Sequence, residues 1–213
     1  MLKLALIITF LLIVPICFGQ QYNSADIIKK ADSILIAAVG QKIFKDYYHY
    51  DLSSYYEYMN KSGKTKGKGL GHNKQTEGKF VNVSVRYIFC LHKYNTPCNT
   101  TFIEFDSLLN LIEPLNMDFI PNYVIRNDSC NFISDSSALA IAKNNFKEKG
   151  IHPVHIYLEW DYKEKLYVWT ADNILTEQKD AFGNNYGELE LIRINALNGT
   201  ILSQRKSVYG ALY

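Results

Sequence analysis

The stretch KFVNVSVRYIFC, residues 79–90, constrains the fold more than any other part of the chain. Val81, Val83, Val85, Tyr87 and Phe89 alternate with Asn82, Ser84, Arg86 and Ile88. Only the two-residue repeat of a strand brings the first set onto one face, since a helix would scatter it around its axis. A strand apolar on one face needs neighbours to pair with and a layer to cover it, so the chain must build at least one sheet. The 16 tyrosines point the same way, because Tyr and Phe suit half-buried sheet faces.

Helical spacing occurs in two places. Ile28, Ala31, Leu35 and Ala38 predict a helix over about 25–38, with Asn23 or Ser24 able to cap it and the pattern able to run on through QKIFKDYY. Ala138, Ile141, Ala142 and Phe146 predict a second over 135–149, capped by Ser134 and stopped by Gly150. Further strands are expected in TTFIEFDSLL, VHIYLEW, LYVWTA and GELELIRINA, the last turning through Asn198-Gly199 into ILSQR. LNMDFIPNYVIRNDSC reads as a connector with extended structure. The expected class is α+β, with helices packed on antiparallel sheet in two tandem helix-plus-strands units. The expected organisation is 1–19 signal peptide, 20–115 first unit, 116–131 connector and 132–213 second unit.

The start, MLKLALIITFLLIVPICFGQQ, has one charge at Lys3, an apolar run from Leu4 to Ile16, and Gly19. That is the layout of a secretory signal with cleavage between Gly19 and Gln20. The alternatives are an uncleaved anchor or lipid attachment at Cys17. The run is shorter than the roughly 20 residues that span a bilayer, so no stable membrane span is expected after cleavage. Three cysteines follow. A hairpin turning near Asn95 to Pro97 would bring Cys90 and Cys98 together; Cys98 with Cys130, or three thiols, are the other possibilities.

KSGKTKGKGLGHNK, residues 61–74, contains Gly63-Lys64-Thr65, the tail of a phosphate-binding loop. The first glycine of that loop would fall at position 58, where Tyr58 stands, so no nucleotide site is expected. Residues 61–79 read instead as a flexible, solvated loop. Lys61, Lys64, Lys66, Lys68 and Lys74 offer a contact for an acidic partner, with Glu77 the only acid among them. A net charge of +2 gives no bulk attraction to nucleic acid.

No reaction chemistry emerges. His152 and His155 flank Pro153 and precede a strand, where they would point to opposite faces rather than share a metal. There is no CxxC and no GxSxG turn. Trp160 and Trp169, on neighbouring expected strands, are explained by cross-strand packing. No cofactor is expected.

The second half resembles a PepSY domain on three segments. ISDSSALAIA places Ala138 and Ala142 where the family's helix carries small residues. LYVWTA and IRINALNGTIL match its later strands and glycine turn. The likeness spans about 132–205. DNILTEQKDAFGNNYGE is longer than the family's loop, and Asn195 stands where an acid is usual. The resemblance implies a helix on an antiparallel sheet, no catalytic residues, and a role restraining proteases or joining envelope proteins. The expected function is an exported, non-catalytic protein- or peptide-binding module. A secreted hydrolase and a structural surface protein are the competing classes.

Overall fold

The computed structural model describes residues 20–91 and 98–210. The signal segment with Cys17 and Gly19, and the expected turn at Asn95 to Pro97, lie outside them. The described residues form four helices and two antiparallel sheets, an α+β chain in which strand dominates.

The first half runs α1 (Ser24–Val39), α2 (Gln41–Tyr47), β1 (Tyr48–Tyr50), β2 (Tyr55–Met59), β3 (Thr65–Gly69), β4 (Lys79–Phe89) and β5 (Asn99–Phe105). Asn23 caps α1, its side chain accepting from the Ala25 N–H at 2.8 Å. The helical pattern does not run on past Val39. Gly40, at φ 84°, breaks it and α2 restarts beyond. Ser24 is tied to a different segment, its Oγ accepting from the Lys74 N–H at 2.8 Å.

β4 organises this sheet. β5 lies along one side, and β1 and β2 share the other, β1 against residues 87–89 and β2 against 79–84. Ser54 fills the gap between them, its Oγ accepting from the Arg86 N–H at 2.9 Å. β3 pairs with β2 and forms the far edge. Residues 61–79 are therefore not one loop: they include a strand with every residue exposed. Alternating Lys and Gly carry no hydrophobic period, so nothing in the sequence marked it.

After β5 come α3 (Asn122–Arg126), α4 (Asp135–Asn145), β6 (His155–Asp161), β7 (Leu166–Ile174), β8 (Gln178–Lys179), β9 (Asn185–Asn195) and β10 (Ile201–Tyr209). The second sheet has the order β10-β9-β7-β6, with β8 also on β9. The expected connector thus contains a short helix, which ends where Asn127 enters the left-handed region at φ 56°. α4 is shorter than expected. Ser134 caps it, accepting from the Ser137 N–H at 3.1 Å, but it ends at Asn145, and Phe146 has extended backbone beyond the last turn. The buried carboxylate of Glu190 causes the departure by accepting the Lys147 N–H at 3.0 Å. Gly150 lies clear of the helix. A Cβ there would sit 2.0 Å from Asn173 Oδ1, so glycine is needed for close approach to β7.

One continuous set of buried side chains runs through both halves. Residues 115–133 join them: the Phe119 ring lies 5.4 Å from Phe89, and the Phe119 carbonyl accepts the Tyr167 hydroxyl at 2.8 Å. Phe132 continues the chain, 5.1 Å from Tyr167 and 5.3 Å from Tyr123.

Candidate binding groove at the edge of the first sheet

β5 alternates cleanly, with Asn99, Thr101, Ile103 and Phe105 buried while Phe102 and Glu104 are exposed. The chain leaves it through a tight turn. Asp106 Oδ1 accepts the N–H of both Leu108 and Asn110 at 2.8 Å, and Leu109 takes the left-handed conformation at φ 61°. Such a backbone costs a leucine on the order of 1 kcal/mol, which burial of its side chain offsets. The returning segment starts a new ladder on β5: Phe105 faces Leu111, and the Ile112 N–H donates to the Glu104 carbonyl at 2.9 Å.

That bond fixes the phase of the β5 edge. In an antiparallel strand alternate residues point both backbone groups to the same side. Since the Glu104 carbonyl points away from β4, so do the backbone groups of Phe102 and Thr100. Arg86, opposite Phe102, agrees, because its own N–H and C=O are taken on the other side by Ser54 and Asp51. Extending the register from Phe105–Leu111 places Pro114 opposite Phe102, at the position that should next donate to the Phe102 carbonyl. Proline has no N–H, so the ladder stops there.

Past that point the chain diverges and leaves a groove of about 360 Å³. It is bordered by Thr100, Phe102 and Glu104 of β5, by Glu113, Pro114 and Asn116 of the returning segment, and by Phe119 and Tyr162. The Tyr162 hydroxyl, from the β6–β7 turn, donates to Asn99 Oδ1 at 3.1 Å and ties this end to the second half. Among the described residues nothing takes the outward N–H of Thr100, Phe102 or Glu104, or the outward carbonyls of Thr100 and Phe102. The flank is apolar: Phe102 is 49 % exposed, Leu111 40 % and Ile112 52 %. The Arg86 guanidinium stands 5.3 Å from both the Phe102 and Tyr55 ring centres, holding Phe102 upright by cation–π contact. Glu104 and Glu113 have no ion-pair partner among the described residues.

The residues singled out in the sequence lie elsewhere. Lys66 and Lys68 are on the opposite edge strand, β3, and Lys68 pairs with Glu77. Lys61 and Lys64 border the β2–β3 turn, built on Asn60 and on Gly63 at φ 76°. The Lys74 backbone is bound to Ser24. Cys90 and Cys98 form a disulfide that links the end of β4 to the start of β5; Cys130 keeps its thiol, which accepts from the Phe132 N–H at 3.5 Å. His152 faces Glu177 at 3.4 Å and His155 faces Asp172 at 3.9 Å. Among the described residues no three His, Cys, Asp or Glu side chains are arranged to hold a metal ion. The Trp160 ring packs 5.2 Å from Tyr167, and the Trp169 indole N–H donates to the Ile133 carbonyl at 3.2 Å.

The groove itself escaped the sequence. Its signals are a Pro set in the returning segment and a strand with Phe102 on its polar face, and neither has meaning until the register is known. A second hollow of about 420 Å³ lies where the α1–α2 junction, with Lys42, Ile43 and Asp46, meets α3 at Val124. Among the described residues no helix is long and apolar enough to cross a membrane. Compared with protein-family models, curated proteins and solved structures, the chain matches none.

Proposed function

We propose that this protein is an exported, non-catalytic binding module that captures an extended segment of another protein by adding it as a strand to β5. The observation that carries this reading is the row of outward backbone groups at Thr100, Phe102 and Glu104 facing a groove. An unpaired edge offers main-chain hydrogen bonds to any extended peptide, and the flanking side chains choose among them. The disulfide between Cys90 and Cys98 supports export, since such bonds persist in oxidising compartments. On this reading residues 1–19 are removed, the two halves are tandem helix-plus-strands units with each helix laid on its own sheet, and the second is PepSY-like. A protease to be restrained, or an envelope protein to be joined, is the partner class the resemblance suggests.

The test uses Thr100→Pro, which deletes an outward N–H and leaves the β4 ladder intact, as proline is tolerated at such edge positions. Wild type and variant, checked for equal thermal stability, are immobilised and exposed to an envelope extract from the native source. Proteins held by the wild type and lost from the variant are the expected result. An identical set on both would sink the reading. N-terminal sequencing of the native protein should begin at Gln20.

A further inference from the structure

We infer that the β5 groove selects extended segments carrying a lysine or arginine at the position opposite Phe102. The inference rests on the reading of β5 as a peptide-accepting edge and adds to it the chemistry of the ligand.

The register sets the geometry. An incoming antiparallel strand takes the place the chain itself abandons at Pro114, so its first paired residue lies opposite Phe102 and its next outward-bonded residue opposite Thr100. A side chain opposite Phe102 rises on the same sheet face as Phe102, Thr100 and Glu104, because cross-strand neighbours share a face. Glu104 is the diagonal neighbour of that position, a separation of about 7–8 Å that only a long side chain bridges. Glu113 borders the same groove from the other side. Glu104 thus stands on the face of the incoming side chain and Glu113 borders the groove beside it; among the described residues no cationic side chain lines the groove and neither acid has an ion-pair partner.

The alternatives at this position fare worse. An acidic side chain would meet the like charge of Glu104 on its own face. A short polar one would not reach it, and an apolar one would gain only the exposed parts of Phe102 and Ile112. A lysine or arginine gains the Glu104 carboxylate and can lay its methylenes along Phe102 and Ile112, which share its face, while its head stays wet. Arg86 already occupies the neighbourhood of Phe102 on the sheet, but Ser53 takes its guanidinium at 3.3 Å and Tyr55 holds it from the other side, so it does not neutralise the groove acids. The selection is electrostatic and half-exposed, so it must weaken as salt rises above the roughly 0.15 M at which screening reaches about 8 Å.

The test titrates the full chain with three fluorescein-labelled, end-blocked heptapeptides, TVTKTVT, TVTQTVT and TVTETVT, at low and high salt. The same titrations are made with the Glu104→Gln, Glu113→Gln double variant, whose fold is checked by thermal melting. The expected result is that the lysine peptide binds about tenfold more tightly than the glutamine peptide at low salt, and the glutamate peptide more weakly than either. The preference should shrink at high salt and vanish in the double variant. Equal binding of all three by the wild type, or a preference that survives the double substitution, would overturn the selection and leave the edge reading standing. No binding of any peptide, with the fold intact, would overturn both.

Discussion

Asp172 on β7 is the acid least well served by its surroundings. Among the described residues its Oδ1 is buried without a hydrogen-bond partner, and only His155, at 3.9 Å from Oδ2, offers an ion pair. Burial raises its pKa above the ordinary carboxylate value; the Glu159 carboxylate adds to the rise, and His155 opposes it. A carboxyl whose pKa is higher in the fold than in the unfolded chain holds its proton more tightly when folded. Its ionisation therefore costs stability as pH rises through the folded value, and the cost is absent below the unfolded value of about 3.9. Asp172→Asn should be more stable than wild type near pH 7, by on the order of 0.5 kcal/mol. The two should converge as the pH falls to about 3. Denaturant melts at the two pH values check this, and a variant less stable at neutral pH would show that the His155 contact outweighs burial. Tyr157, on the same sheet face, is pushed up to about 12, first by burial and then by Asp172 and Glu159. The substitution should bring its titration down.

At the scale of elements, β3 shows how a charged strand stays on a sheet. Its own side chains bury nothing, but Leu70 just beyond it is 3 % exposed, donates its N–H to the Ser54 carbonyl and accepts the Tyr50 hydroxyl through its own carbonyl. Past it, Thr76 and Tyr22 exchange bonds at 2.9 Å. Leu70→Ala should cost about 2–3 kcal/mol, the usual loss for a buried leucine, while Lys66→Ala should cost under about 0.5 kcal/mol. Urea melts separate the two; equal small effects would mean that the segment is held by its backbone alone. The same contrast explains what could be read beforehand. α1, β4 and β9 were legible because each writes a period into its sequence, and β7, buried on both faces from Tyr167 to Ala171, because it leaves a short apolar run. β3 wrote none, because its lysines answer to water rather than to a core. α4 was misjudged at its end, where Phe146 keeps the helical spacing but Glu190, distant in the chain, decides where the helix stops. The groove was illegible for a related reason, since it depends on which backbone groups point outward, and side-chain patterns do not report that.

For the molecule as a whole, the shared core through Phe89, Phe119, Tyr167 and Phe132 makes separate unfolding of the halves costly, because either would expose the aromatic faces of the other. Both tryptophans lie in the second half, so indole fluorescence follows that half while far-ultraviolet circular dichroism follows the whole. The two denaturation curves should coincide, as two-state behaviour requires. Phe119→Ala, at a site only 2 % exposed, should lower the common midpoint by the equivalent of about 3 kcal/mol or more. Curves that separate in the wild type would show that residues 115–133 tether two independent bodies.

The missing N–H of Pro114 has a kinetic and thermodynamic reach beyond its own position. A segment tethered beside an open strand edge competes for it at an effective concentration on the order of millimolar, which would displace most free peptides present at micromolar levels. The proline removes that internal competitor at the register position where its next bond, beyond that of Ile112, would form. Pro114→Ala should let residues 113–116 zip onto β5. The Phe102 amide would then become protected from hydrogen exchange in the unliganded protein, and the groove would lose at least tenfold in affinity for TVTKTVT. On this view the vacancy at the sheet edge is maintained by self-exclusion, with the chain prevented from serving as its own ligand.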